Sequence, residues 1–243
     1  MKLTPRLKKI ADFINKEDRV ADIGTDHGYI PVYLIREKCM DRVIASDINE
    51  APLENAENYV KSAGLSDKVE LRLGNGMQVL EKGEADTVIM AGMGGILITE
   101  IMDFNRELTD SIDKFVLQPM VGRSELAQYL EENFYDISEE SLAKEGDKIY
   151  QVLKVEKSDG EKDSSEERLN ENAELILKDE ELKYEISRAL LSSGDPHLEE
   201  FLEKKAAKLE KIIRSIEKNS SGDNLEYLER LKSKREKLLG VCN

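Results

Sequence analysis

Four short segments gather the residue types that bind a nucleotide-like ligand. Val20-Ala21-Asp22-Ile23-Gly24-Thr25-Asp26-His27-Gly28-Tyr29-Ile30-Pro31 reads as a strand, a glycine turn and a helix start. Doubly wound sheets receive such ligands at this kind of turn; Gly24 lets the backbone come close, and Asp22, inside the strand, is expected to be satisfied by backbone amides. Asp47 ends a second apolar run twenty-three positions after Gly24. A carboxylate there can accept both hydroxyl hydrogens of a ribose, and Ile48 is grouped with it. Gly74-Asn75-Gly76 makes a further turn in which the Asn75 amide offers a donor and an acceptor to a purine edge. Ala91-Gly92-Met93-Gly94-Gly95 reads as a loop that follows a fourth strand, opens onto a helix and floors the ligand's reactive end. Gly24 and Gly28 do not make the G-x-G-x-x-G pattern that cradles a pyrophosphate, so a nicotinamide or flavin dinucleotide is disfavoured.

Turns of this kind need strand ends to hold them, and the apolar periodicity supplies the strands. Thr4-Pro5 caps a first helix whose apolar positions are Leu7, Ile10, Ala11 and Ile14. Strands are expected at 19–23, 42–46, 69–73, 87–91 and 114–118, alternating with helices at 30–37, 51–63, 77–80, 96–104 and 124–133. Two last strands, 137–144 and 148–155, join at Glu145-Gly146-Asp147 as an antiparallel hairpin on one edge. The alternation predicts an α/β domain with a doubly wound, mostly parallel sheet over residues 1–157. Ser158–Glu167 is polar, acidic and without apolar residues, as a linker is. Residues 158–243 turn purely helical, with a break at Ser193-Gly194-Asp195-Pro196 and a turn at Asn219–Asn224. They predict a coiled-coil-like pair of antiparallel helices.

Composition narrows the setting. The net charge is -15, with 40% hydrophobic and 36% charged residues, and no apolar run is long enough to span a bilayer. The N-terminal segment has helical spacing rather than a signal peptide's apolar core, so export is not expected. Two cysteines, Cys39 and Cys242, make no disulfide framework, in keeping with a reducing cytoplasm. The acidic total hides local reversals. Residues 1–19 hold six basic side chains against three acidic ones, and Lys204, Lys205, Lys208, Lys211 and Arg214 form a second basic run. Such runs are most often solvated helix faces, though they are also what a polyanion would meet.

Taken in order, the segments 20–31, 45–49 (ASDIN), 72–77 (RLGNGM), 90–95 (MAGMGG), 117–119 (LQP) and 147–152 (DKIYQV) resemble the bacterial tRNA (adenine-22, N1)-methyltransferase family. The match covers the first domain nearly end to end, while the C-terminal helices are similar only in character. Met120 stands where the family usually carries Asn. The resemblance implies a class I, Rossmann-like methyltransferase domain, a C-terminal coiled-coil domain, S-adenosyl-L-methionine as cofactor and tRNA as partner, with methylation of one adenine in the D-arm region. Asp22, Gly24, Asp47, Ile48, Gly74, Asn75, Gly76, Ala91, Gly92 and Met93 are then the cofactor-binding candidates. Adenine N1 has an in-plane lone pair and leaves the base cationic on methylation, so positioning and a carboxylate can carry the chemistry. Asp26 is the candidate for that carboxylate, His27 for a hydrogen-bonding role and Tyr29 for stacking on the base or closing over the donor. Arg6, Lys8, Lys9, Gly94, Gly95, Gln118 and Pro119 are the substrate-side candidates. No metal is expected, and a monomer is compatible with the sequence. The competing readings are a methyltransferase for another RNA or a small molecule, and a non-catalytic RNA-binding protein on the same fold.

Overall fold

Thr4 starts the first element: its hydroxyl accepts the Leu7 amide, and Pro5 presets the first turn of α1 (Pro5–Asp12). The computed structural model describes residues 2–158, 169–219 and 224–242, and divides into two compact units, Met1–Gly160 and Glu161–Asn243. Most of the expected linker, from residue 159 onward, and residues 220–223 of the expected inter-helix turn lie outside the described residues.

After α1 the first unit runs β1 (Val20–Ile23), α2 (Tyr29–Glu37), β2 (Val43–Asp47), α3 (Glu50–Ser62), β3 (Val69–Leu73) and a 3-10 turn at Gly76–Val79. It continues with β4 (Thr87–Gly94), α4 (Gly95–Phe104), α5 (Arg106–Thr109), β5 (Lys114–Val121), α6 (Arg123–Glu132), β6 (Tyr135–Glu145) and β7 (Lys148–Lys157). The sheet order is β3-β2-β1-β4-β5-β7-β6. The first five strands are parallel and β7 runs antiparallel between β5 and β6, so the expected hairpin forms one edge. The strand order reverses between β1 and β4, the position at which a crevice opens above the carboxyl ends of a doubly wound sheet.

Both faces of the sheet are covered, which is why its central strands are apolar without alternation. Ala21, Ile23, Ile44, Met90, Phe115 and Leu117 pack on one side with Met77, Ile98, Met102 and Leu126. Val20, Val43, Ala45, Ile89 and Val116 pack on the other with Ile10, Ile14, Val32 and Leu34. At about 1.5–3 kcal/mol for each large side chain buried, these two layers fix the strand register and hence the heights of the strand ends.

Two elements differ from the sequence reading. The Ala91–Gly95 segment is not a loop throughout: β4 continues to Gly94, with register shifts between Ala91 and Met93 and between Met93 and Gly94. Gly92 takes a φ of +78° at this bulge, and a glycine in a strand that bends reads in sequence as a strand end. The short α5 was not expected; the Asn105 side chain caps it by accepting the Leu108 amide.

The second unit comprises α7 (Glu171–Leu177), a 3-10 turn at Leu182–Tyr184, α8 (Arg188–Ser192), α9 (Leu198–Asn219) and α10 (Leu225–Val241). Contacts between α9 and α10 pair Glu217 with Lys232 and Glu210 with Arg235, while Cys242, just past α10, meets the Glu199 carbonyl. Rising numbers on one helix meet falling numbers on the other, so the two run antiparallel. Leu202, Ala206, Ile213, Leu231 and Leu238 are buried at the helical spacing of the sequence.

Candidate active site

The turn after β1 is tied to the end of β2: the amides of Gly24 and Thr25 both donate to the Ser46 carbonyl, at 2.8 and 2.9 Å. Gly24 has φ +78°, a conformation that strains any other residue, and a Cβ there would lie 2.9 Å from the Met93 Cε. Met93 from the β4 bulge and Gly24 from the β1 turn thus meet at the switch point. Beneath them Asp22 is buried, and the Thr25 hydroxyl donates to its Oδ2 at 2.7 Å. This corrects the expectation that backbone amides satisfy Asp22, since a hydroxyl three residues on does so and Oδ1 has no partner among the described residues. Burial pushes the Asp22 carboxyl up to about 6, against the hydrogen bond from Thr25 and helped by the negative charge of Asp47.

Asp47 shows the same half-satisfied state. Its Oδ1 accepts the Asn49 amide at 2.8 Å, and Oδ2 has no partner among the described residues. The Gly74 amide donates to the Asp47 carbonyl at 3.0 Å, which joins the end of β3 to that of β2. On either side Ile48 and Leu73 leave 59% and 52% of their surface exposed, two apolar faces beside a free carboxylate oxygen. Gly74 packs against the Val79 side chain, which leaves no room for a Cβ, and Gly76 takes φ +56° against Ile101. Asn75 and Gly76 also line a cavity bounded by Leu97, Glu100 and Phe104. Buried Ser46 Oγ has no hydrogen-bond partner among the described residues.

Asp26, His27 and Tyr29 stand together on the rim of the β1 turn. Asp26 has φ +45°, a left-handed conformation that strains a non-glycine residue and aims the exposed carboxylate outward. His27 Nε2 lies 3.4 Å from Asp26 Oδ2, and the His27 and Tyr29 rings are 5.3 Å apart. Tyr59 of α3 packs edge-on to Tyr29 at 5.1 Å. No local pattern in the sequence marks Tyr59; the contact arises where α3 crosses α2.

The substrate-side candidates divide. Arg6 reaches the cleft, where its Nη1 donates to Gln118 Oε1 at 2.7 Å and a Cβ on Gly92 would lie 3.6 Å from Nη1. Gln118 is fully buried and its amide nitrogen donates to the Pro119 carbonyl at 3.0 Å, so Gln118 and Pro119 form one fixed corner at the end of β5. Lys8 is bound up with Asp12 and sits 5.8 Å above the Tyr33 ring; the hydrogen bond it donates to the Asp12 carboxylate raises its pKa despite desolvation. Lys9 lies on the same helix and is half-buried. Gly94 pairs with Val121, and Gly95 is buried so tightly against the Gly122 carbonyl that a Cβ would collide with it. Glycine at 95 is thus required by the close packing of α4 on the start of α6.

Residues 3–153 match the family model of the methyltransferase domain, and that match, with the sheet order and the glycine-carboxylate crevice, defines the class of the protein. The tRNA (adenine(22)-N(1))-methyltransferase of Bacillus subtilis (strain 168) is 31% identical over 177 residues, 73% of this chain and 74% of that protein. The chain belongs to this tRNA (adenine(22)-N(1))-methyltransferase family. The crystal structure of the B. subtilis m1A22 tRNA methyltransferase superposes with a TM-score of 0.80 at 26% identity, covering 100% of this chain and 99% of that one. A putative tRNA (m1A22) methyltransferase of Streptococcus pneumoniae in complex with S-adenosyl-L-methionine superposes at 0.79, with 25% identity and full coverage of both chains.

Proposed function

We propose that this chain transfers a methyl group from S-adenosyl-L-methionine to N1 of adenine 22 in tRNA. The observation that supports the reading is the placing of Gly24, Asp47, Asn75 and Gly92 at or near the carboxyl ends of the neighbouring strands β1, β2, β3 and β4, where the strand order reverses, in a chain of this family. The residues fit the cofactor. Asp47 Oδ2 is free to accept a ribose hydroxyl, Ile48 and Leu73 offer apolar faces for a purine, and buried Asp22 supplies a negative charge for a sulfonium. When bound, the cofactor supplies an electrophilic methyl group on that sulfonium.

The chain's own work is mostly placement. Gly24 and Met93 shape the floor where the methyl group is presented, and Tyr29, braced by Tyr59, gives a flat wall against which an unstacked adenine is held. Asp26 holds its carboxylate where positive charge grows on the base as N1 is alkylated, and His27 stands beside Asp26 as a hydrogen-bonding partner. Position 91–94 offers Ala91-Gly92-Met93-Gly94, without a side-chain acceptor for an exocyclic amine, which favours attack by a ring nitrogen.

We assign the methyltransferase domain to residues 1–157 and a tRNA-docking role to the helical residues 158–243. No described helix is long and apolar enough to cross a membrane. The cytoplasm, where tRNA resides, is the proposed location. Incubation with a tRNA pool and labelled donor, followed by mapping of the modified nucleotide, tests the whole reading. The expected product is 1-methyladenosine at position 22; methyl groups found only on an exocyclic nitrogen or at another nucleotide would refute it.

A further inference from the structure

We infer that Arg6 is an oxyanion seat for a backbone phosphate of the tRNA strand carrying the target adenosine, and that the β6–β7 hairpin holds it in place. The inference rests on the proposed methyl transfer to tRNA and adds how the substrate strand is gripped. Arg6 is half-buried on α1, yet among the described residues no carboxylate forms an ion pair with its guanidinium. Its holders are of another kind. Gln118 Oε1 accepts from Nη1 at 2.7 Å, and the Tyr150 ring lies 5.7 Å from Cζ. Both fix the side chain without cancelling its charge.

Glu145, at the end of β6, spends its carboxylate on the backbone instead, accepting the Arg6 amide at 2.9 Å and the Thr4 hydroxyl. Burial alone would raise the Glu145 carboxyl, but those two hydrogen bonds and the Arg6 charge hold it below its usual range. The carboxylate thereby anchors the helix start that carries Arg6. Nε and Nη2 of the guanidinium remain without partners among the described residues. A charged, half-desolvated fork with two unused donors matches an oxyanion in geometry and in charge.

Two oxyanions come near such a site, the carboxylate of the methyl donor and a phosphate of RNA, and the sheet order separates them. The cofactor candidates Asp47 and Asn75 sit at the ends of β2 and β3, on one side of β1. Arg6 lies against Gly92 and Gln118, at the ends of β4 and β5 on the other side. A cofactor reaching from β3 to Gly92 ends on the β4 side of Arg6, and the Gln118 corner of β5 on its other side is left to the substrate. In a chain of net charge -15, a local cation with no carboxylate in ion-pair contact among the described residues favours the approach of a polyanion.

The test measures tRNA binding as a function of salt, S-adenosylmethionine binding by calorimetry, and steady-state methylation, for wild type, Arg6→Ala and Gln118→Glu. Gln118→Glu keeps the contact but gives Arg6 a carboxylate partner. Expected for both variants is an affinity for tRNA lowered about tenfold and a log–log salt slope reduced by about one ion, with donor affinity unchanged. Thermal melting followed by circular dichroism reports that a variant is folded; should Arg6→Ala fail that check, Gln118→Glu decides. An unchanged salt slope and tRNA affinity overturns the seat, and a loss confined to donor affinity assigns the anion to the donor and overturns the phosphate. Wild-type enzyme forming no 1-methyladenosine defeats the underlying reading instead, a result separate from either.

Discussion

The charges in the cleft and the charges on the C-terminal helices live under opposite rules. In the helical unit many basic side chains are answered by acidic ones: Lys205 by Glu185 at 2.5 Å, Lys232 by Glu217 at 2.7 Å, Lys237 by Asp179 at 2.7 Å, and buried Lys234 by Glu181. In the cleft Asp47 keeps one carboxylate oxygen free, Asp22 is buried with a single hydroxyl partner, and the Arg6 guanidinium has no ion-pair partner among the described residues. A charge that is paired at home contributes to the fold, whereas one held in place and left unpaired awaits a ligand. The lesson is that a basic run in a sequence reports little until its partners are known.

The largest effect that can break this contrast belongs to Asp47. Asp47→Ala removes the free acceptor and with it about 3 kcal/mol of donor binding, on the order of a hundredfold in Kd, taking about 1.5–3 kcal/mol for each hydrogen bond to a charged group. Calorimetry with S-adenosylmethionine measures it, and an affinity within threefold of wild type would remove Asp47 from the cofactor site. Next in size is Asp26→Ala, for which donor affinity stays and kcat falls by roughly a hundredfold if the exposed carboxylate faces the charge developing on the base. Unchanged turnover takes Asp26 out of the chemistry.

Asp22 gives the contrast its sign. Its carboxyl is raised from 3.8 to about 6 by burial first, then by Asp47, against Thr25. Between those values the folded protein holds more protons than the unfolded chain, so stability falls as pH rises through that window and the penalty is complete above it. At pH 7 that is at most about 3 kcal/mol, at 1.36 kcal/mol per pKa unit. Asp22→Asn should therefore melt higher than wild type at pH 7, lose that advantage below pH 4, and bind the donor more weakly. A variant that is less stable at pH 7 would mean that Asp22 serves the fold and not the ligand.

How much of this was legible beforehand follows from the range of each contact. Gly24, Asp47 and Asn75 each stand at or just past the end of a short β-type run, so the strand ends can be read from local pattern alone. Thr25 on Asp22 is a contact over three residues, yet nothing in the spacing distinguishes a hydroxyl from a backbone amide as the donor. Glu145 and Gln118 reach Arg6 across 139 and 112 positions, and only the closing of the sheet's edge on α1 brings them together. Gly92 resembles the end of a strand in sequence because a bulge and a loop call for the same residue. On α9 the Lys204–Glu200 pair is an i,i+4 contact open to inspection, but Lys205–Glu185 is tertiary, so the basic run looked more available than it is.

The smallest effect tests the rule inside one helix. Lys208 and Lys211 are exposed and have no acidic partner among the described residues, whereas Lys204 and Lys205 are paired with Glu200 and Glu185 at 3.0 and 2.5 Å. If the helical unit docks tRNA, its contacts come from the first pair, because the second must break an ion pair before it can meet a phosphate. Lys208→Ala with Lys211→Ala should weaken tRNA binding by about two- to threefold and lower the salt slope, each lost phosphate contact removing about one ion. Lys204→Ala with Lys205→Ala, which removes the same formal charge, should leave the slope nearer to wild type and act on stability by less than about 1 kcal/mol per exposed pair. Equal losses from the two double variants would mean that net charge alone draws the RNA, and that pairing has no bearing on which lysines it meets.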